Sequence, residues 1–201
     1  SNLINYLFLN TNWKILNLDK LSIVSNSISF KKYRNRYKFY KINLINFNRL
    51  KKIIFDYKPN FILHLAAESH VDNSILDSKE FINSNILSTY NLLEVSRLYI
   101  QKNKNNKNGF FFYYISTDEV YGENLTNVEH DESSSFNPSS PYSATKASSE
   151  HLVTAWYRTF KIPFIISRSS NNYGPMQNKE KLIPMVIYNA ISSLNIPVYG
   201  K

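Results

Sequence analysis

No cysteine occurs in the 201 residues. That excludes disulfides, thiolate zinc sites and cysteine nucleophiles, and it fits a reducing, cytoplasmic compartment. Glycine is scarce, at four residues, and no glycine-rich phosphate loop can be drawn from them. No stretch approaches the roughly 18 apolar residues of a membrane helix. The opening SNLINYLFLN has neither the basic start nor the small-residue cleavage site of a secretory signal, so it is not read as one. The four histidines, His64, His70, His130 and His151, are scattered without metal-ligand spacing, and no metal is expected.

The length suits one α/β domain with a real core, and the hydrophobic fraction of 43% is that of an ordinary globular chain. The net charge of +9 raises the question of a polyanionic partner, and KKYRNRYK (31–38) interleaves cations with aromatics. Lysine, asparagine, isoleucine and tyrosine are used heavily along the whole chain, however, so the charge reads as a global bias and the segment as a solvated loop. No nucleic acid is expected. A basic chain still favours an anionic small substrate.

Short apolar runs alternate with longer amphipathic segments. Strands are predicted at 13–19, 37–43, 61–67, 110–117 and 164–170, and helices at 47–57, about 77–101, about 142–160 and about 179–194. This alternation predicts a doubly wound, mainly parallel sheet with helices on both faces. KNKNNKNG (102–109) and DESSSFNPSSP (131–141) read as loops. Sites in such sheets gather where loops leave the carboxyl ends of strands. Asp19, AAESH (66–70), STDE (116–119) and SSNNYGP (169–175) all fall at those ends, which suggests a crevice.

Asp19, ending a strand, suits either a ribose hydroxyl contact or a turn or helix cap. Tyr142 and Lys146 in SPYSATKASSEHL (140–152) are spaced i,i+4 and share one helix face. A phenol is a poor base at neutral pH. A neighbouring ammonium favours the phenolate and makes it a usable one. The small residues Ser140, Ser143, Ala144, Ala147, Ser148 and Ser149 permit close approach of a ligand or strand. In YYISTDEVYG (113–122) two acids, Asp118 and Glu119, stand side by side after a buried strand. A solvated loop and a metal site are the alternatives to a cleft in which unlike environments separate an acid from a base.

AAESHVDNSI, ISTDEVYG, SPYSATKASSEHLV, SNNYGP and EKLIP…PVYGK together resemble the dTDP-glucose 4,6-dehydratases, of the extended short-chain dehydrogenase/reductase superfamily, essentially end to end. The resemblance implies a Rossmann-like fold and an NAD-dependent hydro-lyase that turns dTDP-glucose into the 4-keto-6-deoxy sugar. It implies Tyr142 with Lys146 at the C4 hydroxyl, Glu119 as base at C5, Asp118 as acid at the C6 hydroxyl, and Thr117 near the C4 oxygen. Cofactor contacts implied are Asp19, Lys20, Leu21, Ser22, Asn43, Leu44, Leu65, Ala66, Ala67, Ser84, Tyr142, Lys146 and Asn172. Substrate contacts implied are Glu68, Ser69, Thr117, Asn171, Lys181, Leu182, Pro197, Val198 and Tyr199. A homodimer of the full-length form is implied as well. A UDP-sugar dehydratase or epimerase of the same superfamily, or a non-catalytic truncated remnant, is the alternative.

The sequence departs from the pattern at position 43, where the family usually has aspartate and this chain has Asn43. It also starts after the first strand and glycine-rich loop, in what reads as the following helix, and stops before the family's C-terminal part. The expectation is a single, incomplete NAD-binding domain over 1–201, with 171–201 beginning the nucleotide-sugar-binding part. These residues alone are expected to hold NAD weakly.

Overall fold

The computed structural model describes residues 2–21, 30–103, 109–123, 129–179 and 181–197. Ser22, Val198 and Tyr199, expected to contact ligand, lie outside the described residues. The chain divides into two compact units. The first comprises residues 1–17, 21–39 and 171–201, and the second residues 18–20 and 40–170.

Five strands form where the apolar runs predict them: β1 (Ile15–Asp19), β2 (Tyr37–Lys41), β3 (Phe61–His64), β4 (Phe111–Thr117) and β5 (Phe164–Ser169). They fall into two hydrogen-bonded sets, β1–β2 and β3–β4–β5. In the first, the Ile15 N–H donates to the Arg36 carbonyl and the Ile42 N–H to the Asp19 carbonyl, so the strands run the same way. In the second, His64 pairs with Tyr114 and Thr117 with Ser169, both in parallel. The architecture is Rossmann-like α/β, and helices form the crossovers that the parallel neighbours β3, β4 and β5 require.

In the second unit, α2 (Phe47–Tyr57) begins where the Asn46 side chain accepts the Arg49 N–H, and it buries Leu50, Ile53 and Ile54 at helical spacing. It stops at Lys58, in the left-handed conformation at φ +57°. A short helix α3 (Val71–Leu76), which the sequence pattern did not predict, precedes α4 (Ser78–Phe81). The predicted helix at 77–101 is real but interrupted: α4 runs into a π-helical turn at Ile82–Leu87 before α5 (Ser88–Lys102). The turn's buried residues, Ser84 and Asn85, are polar. The longest helix, α6 (Pro141–Phe160), opens with proline in its first turn and a reciprocal capping box between Ser140 and Ser143.

Along β4 the buried side chains alternate through Phe112, Tyr114 and Ser116, as a strand packed on one face requires. His64 of β3 lies against this face, with its ring 5.5 Å from Tyr114 and its Nε2 2.9 Å from the Thr89 hydroxyl.

The first unit holds α1 (Asn2–Asn10) and α7 (Leu182–Ile191). Here one cation of the 31–38 segment, Arg36, packs inward with Tyr33 and Tyr37, while Lys31, Lys32, Arg34 and Lys38 are exposed. Arg36 donates to the Phe8 and Thr11 carbonyls at the end of α1, and its guanidinium lies over the Phe8 ring at 5.2 Å. Phe8 in turn contacts Phe30, Tyr33 and Tyr37. Cations at a helix C-terminus satisfy its last carbonyls, which accounts for Arg36.

Burial, reinforced by the Lys146 charge, holds the His64 imidazole down from its ordinary value of 6.5 to about 3. The unfolded chain therefore binds one more proton than the folded chain between those pH values, and stability falls as pH drops through that window. The expected loss is on the order of 4 kcal/mol by pH 3. Urea midpoints followed from pH 7 to 4 should show a steeper acid loss in wild type than in His64→Gln; equal slopes would contradict this account.

Candidate active site

Parallel register places the exits of β3 and β4 at one edge of the sheet, and the chemistry-bearing residues of the second unit follow those exits. After β4 the chain enters a short 3₁₀ turn, Asp118–Tyr121. Thr117, the last strand residue, caps it: its hydroxyl accepts the Glu119 N–H and lies 3.3 Å from the Asp118 carboxylate. Asp118 is exposed and Glu119 half-buried, so the two adjacent acids occupy unlike surroundings. The turn ends at Gly122, whose φ of +80° suits glycine. A Cβ there would collide with the Asn137 carbonyl oxygen.

Tyr142 and Lys146 share the buried face of α6, as their spacing requires. The Tyr142 N–H, in the first helical turn, donates to the Ser74 hydroxyl at 3.2 Å. Burial pushes the Tyr142 phenol above its ordinary value; the Glu119 and Asp118 charges push the same way, and a hydrogen bond with Thr117 opposes them. Thr117, Asp118, Glu119 and Tyr142 are thus brought together.

The expected lowering of the phenol by Lys146 is corrected here. The Lys146 ammonium donates to the Ile115 carbonyl at 2.6 Å and sits 4.3 Å from the centre of the Tyr114 ring. Burial brings it down to about 8, against an upward pull from Glu150. Desolvation and the two acids outweigh the Thr117 hydrogen bond at the phenol.

A second cluster forms at the β3 exit. Lys20, just beyond Asp19, places its ammonium 2.5 Å from Glu68 and 2.7 Å from Glu80, with the Ser84 hydroxyl at 3.0 Å. Burial opposes the charge on Lys20, but its bonds to Glu68 and Glu80 prevail and raise it, while Lys20 holds Glu80 below the usual carboxylate range. Lys20 and Ser84, expected beside cofactor, and Glu68, expected beside substrate, are therefore direct neighbours. The Asn85 side chain brackets the Glu68 main chain, accepting its N–H and donating to its carbonyl, and also donates to Thr145 of α6.

The other expected contacts of this unit are placed as follows. Leu65, Ala66, Ala67 and Ser69 are exposed along the β3 exit, Asn43 is exposed and Leu44 buried. The Asn43 side chain accepts the Ile45 N–H, a local turn bond that an aspartate would also make. Leu21, Asn171, Asn172, Lys181, Leu182 and Pro197 belong to the first unit, where Lys181 immediately precedes α7 without a side-chain cap and the Asn172 carbonyl accepts from Gln177. Among the described residues no three acidic or histidine groups come together to hold a metal ion, and no helix is long and apolar enough to cross a membrane.

The sequence profile described as GDP-mannose 4,6 dehydratase matches residues 1–201. The chain belongs to the GDP-mannose 4,6-dehydratase family. It is 45% identical over 204 residues to a dTDP-glucose 4,6-dehydratase of Haemophilus influenzae, covering all of this chain and 60% of that one. Identity to the dTDP-glucose 4,6-dehydratase of Neisseria gonorrhoeae is 44%, over 59% of its length. The crystal structure of dTDP-glucose 4,6-dehydratase from Bacillus anthracis in complex with NAD superposes with a TM-score of 0.83 at 33% identity. That match covers 99% of this chain and 60% of the other. The chain thus spans about three fifths of the length of the relatives it matches.

Sequence reading missed Glu80, Asn85, Glu150, Arg168 and the role of Tyr121. Glu150 carried a usable signal, since it continues the spacing of Tyr142 and Lys146 by another four residues. Glu80 and Asn85 carried none, because Lys20, Glu68 and Thr145, which give them their roles, are distant in sequence.

Lys146 falls to about 8 in the folded chain from an ordinary 10.5. Between those values the unfolded chain binds more protons, so stability attributable to this group rises with pH. Relative to Lys146→Met, wild type should gain about 3 kcal/mol from pH 8 to 10.5. Parallel urea titrations of both proteins check this; a flat difference would refute it.

Proposed function

We propose that this chain carries the catalytic residues of a dTDP-glucose 4,6-dehydratase: an NAD-dependent removal of water from a nucleotide-activated glucose, giving the 4-keto-6-deoxy sugar. The observation that carries the reading is the assembly of Tyr142, Thr117, Asp118 and Glu119 at one sheet edge, with the acid pair in a capped turn against the head of α6. Relatives at 44–45% identity that bear this enzyme's name support the choice of nucleotide and sugar.

NAD, when bound, supplies the hydride acceptor and donor that make the overall reaction redox-neutral. The residues present suit NAD rather than its 2′-phosphorylated form. Asp19 ends β1, where a carboxylate accepts from ribose hydroxyls. Lys20, the cation beside it, is already matched by Glu68 and Glu80, so the local balance is acidic and disfavours a phosphomonoester. Within the second unit, Asp19, Lys20, Asn43, Leu44, Leu65, Ala66, Ala67 and Ser84 would line this site, and Glu68 and Ser69 the sugar nucleotide.

Tyr142 takes the proton of the C4 hydroxyl, with Thr117 beside the same oxygen. A phenol raised by burial needs a local cation to ionise, and Lys146, at about 8, is the one nearby on the same helix face. Oxidation at C4 acidifies the neighbouring C5–H, whose proton passes to Glu119. Asp118 gives its proton to the departing C6 hydroxyl, which leaves as water, and the electron pair of the broken C5–H bond forms the C5–C6 double bond. Reduction at C6 and return of a proton to C5 complete the product. Adjacent acids serve adjacent carbons. The same reading includes a cytoplasmic homodimer; exposed Leu87, Tyr90, Tyr157 and Phe160 on the turn before α5 and on α5 and α6 suit such an interface.

In the full-length protein carrying this chain, Glu119→Gln should lower turnover of dTDP-glucose by about 10²- to 10⁴-fold while NAD remains bound to the purified protein. Product formation is followed by the alkaline absorbance of the 4-keto sugar. Undiminished turnover would overturn the assignment of the base.

A further inference from the structure

Arg168 stands in β5, and its whole guanidinium is engaged. Nε and Nη2 grip both oxygens of Glu150 at 2.7–3.1 Å. Nη1 donates to the Tyr121 hydroxyl at 2.7 Å and to the Glu132 carbonyl at 3.3 Å. The guanidinium also lies 5.3 Å from the Tyr121 ring centre and 4.9 Å from that of Phe136.

Two facts give this network direction. Glu150 is only 1% exposed and continues the buried stripe of Tyr142 and Lys146 along α6. Tyr121 closes the very turn that Asp118 and Glu119 open. A buried ion pair is weak evidence for stability, because desolvation offsets most of its attraction. A planar fork is strong evidence for fixed geometry, because its N–H vectors cannot be redirected independently.

We propose that Arg168 is a positioning residue for the acid pair: anchored on Glu150 of the helix bearing Tyr142 and Lys146, it holds Tyr121 and so fixes Asp118 and Glu119 against that helix. The proposal rests on the reading of Glu119 and Asp118 as base and acid of the elimination. The Arg168 guanidinium is taken up by Glu150, Tyr121 and the Glu132 carbonyl, so it acts through Tyr121. Loosening the turn therefore slows loss of water, while proton removal at C4 by Tyr142 continues.

The test uses the full-length protein with two variants. Tyr121→Phe keeps the ring and removes the hydroxyl; Arg168→Lys keeps a charge for Glu150 and removes the fork. Misplacement of reacting groups by about an ångström costs up to 10²-fold, so kcat should fall about tenfold to a hundredfold with KM for dTDP-glucose unchanged. Quenched single turnovers, read by mass spectrometry, should contain more undehydrated 4-keto sugar than wild type run in parallel. Melting curves establish that each variant is folded, and Tyr121→Phe decides alone if Arg168→Lys is not. Wild-type kcat in folded Tyr121→Phe, or slowing without that intermediate, overturns the proposal. Those results with an active wild type and a stalled Glu119→Gln defeat the positioning role alone, whereas wild type inert toward dTDP-glucose defeats the functional reading and this inference together.

Discussion

The site depends on burying charge along one face of α6. Lys146 and Glu150 are 4% and 1% exposed, four residues apart, on a helix packed against β4. An isolated charge in such a place would neutralise itself or unfold its surroundings. Each instead has a dedicated partner: the Ile115 carbonyl for the ammonium, the Arg168 fork for the carboxylate. Ser143, Ala147 and Ser149, all buried, keep the helix slim enough to approach β4 and β5, which supply those partners. Tyr142 is held in place by the same packing.

The acid pair and the ion cluster at the β3 exit show how carboxylates in one region are given different work. Glu68 and Glu80 are spent on Lys20, which leaves a compact cluster of two carboxylates around one ammonium. Asp118 and Glu119 lie in a turn whose cap uses the Thr117 hydroxyl, with unequal exposure to water. Between the two clusters runs Asn85, from a π-helical turn of the kind often found at functional sites. By bracketing Glu68 and reaching Thr145, it ties the β3 exit to α6.

Much of this was legible beforehand, for local reasons. Strand positions followed from apolar runs bounded by polar residues, and the start of α6 from Ser140 and Pro141, because caps act over a few residues. The shared face of Tyr142 and Lys146 followed from helical period. The π turn was not legible: a one-residue insertion in a helix changes no composition, and the polar Ser84 and Asn85 look like ordinary helix residues until something buries them. The behaviour of Tyr142 was misjudged for a similar reason. Spacing shows that an ammonium is near on the helix, but not that a carbonyl of another strand has claimed it.

Taken alone, the amino-acid order determined the parallel α/β class, the helix bearing Tyr142 and Lys146, and the placement of two acids at a strand exit, since each rests on period, capping or adjacency within about ten residues. Tertiary structure alone decided which charges are matched: Lys20 with Glu68 and Glu80, Lys146 with Ile115, Arg168 with Glu150 and Tyr121. Those partners lie 18 to 60 residues apart. Charge pairing inside a protein depends on distance and desolvation, and both exist only once the chain has folded.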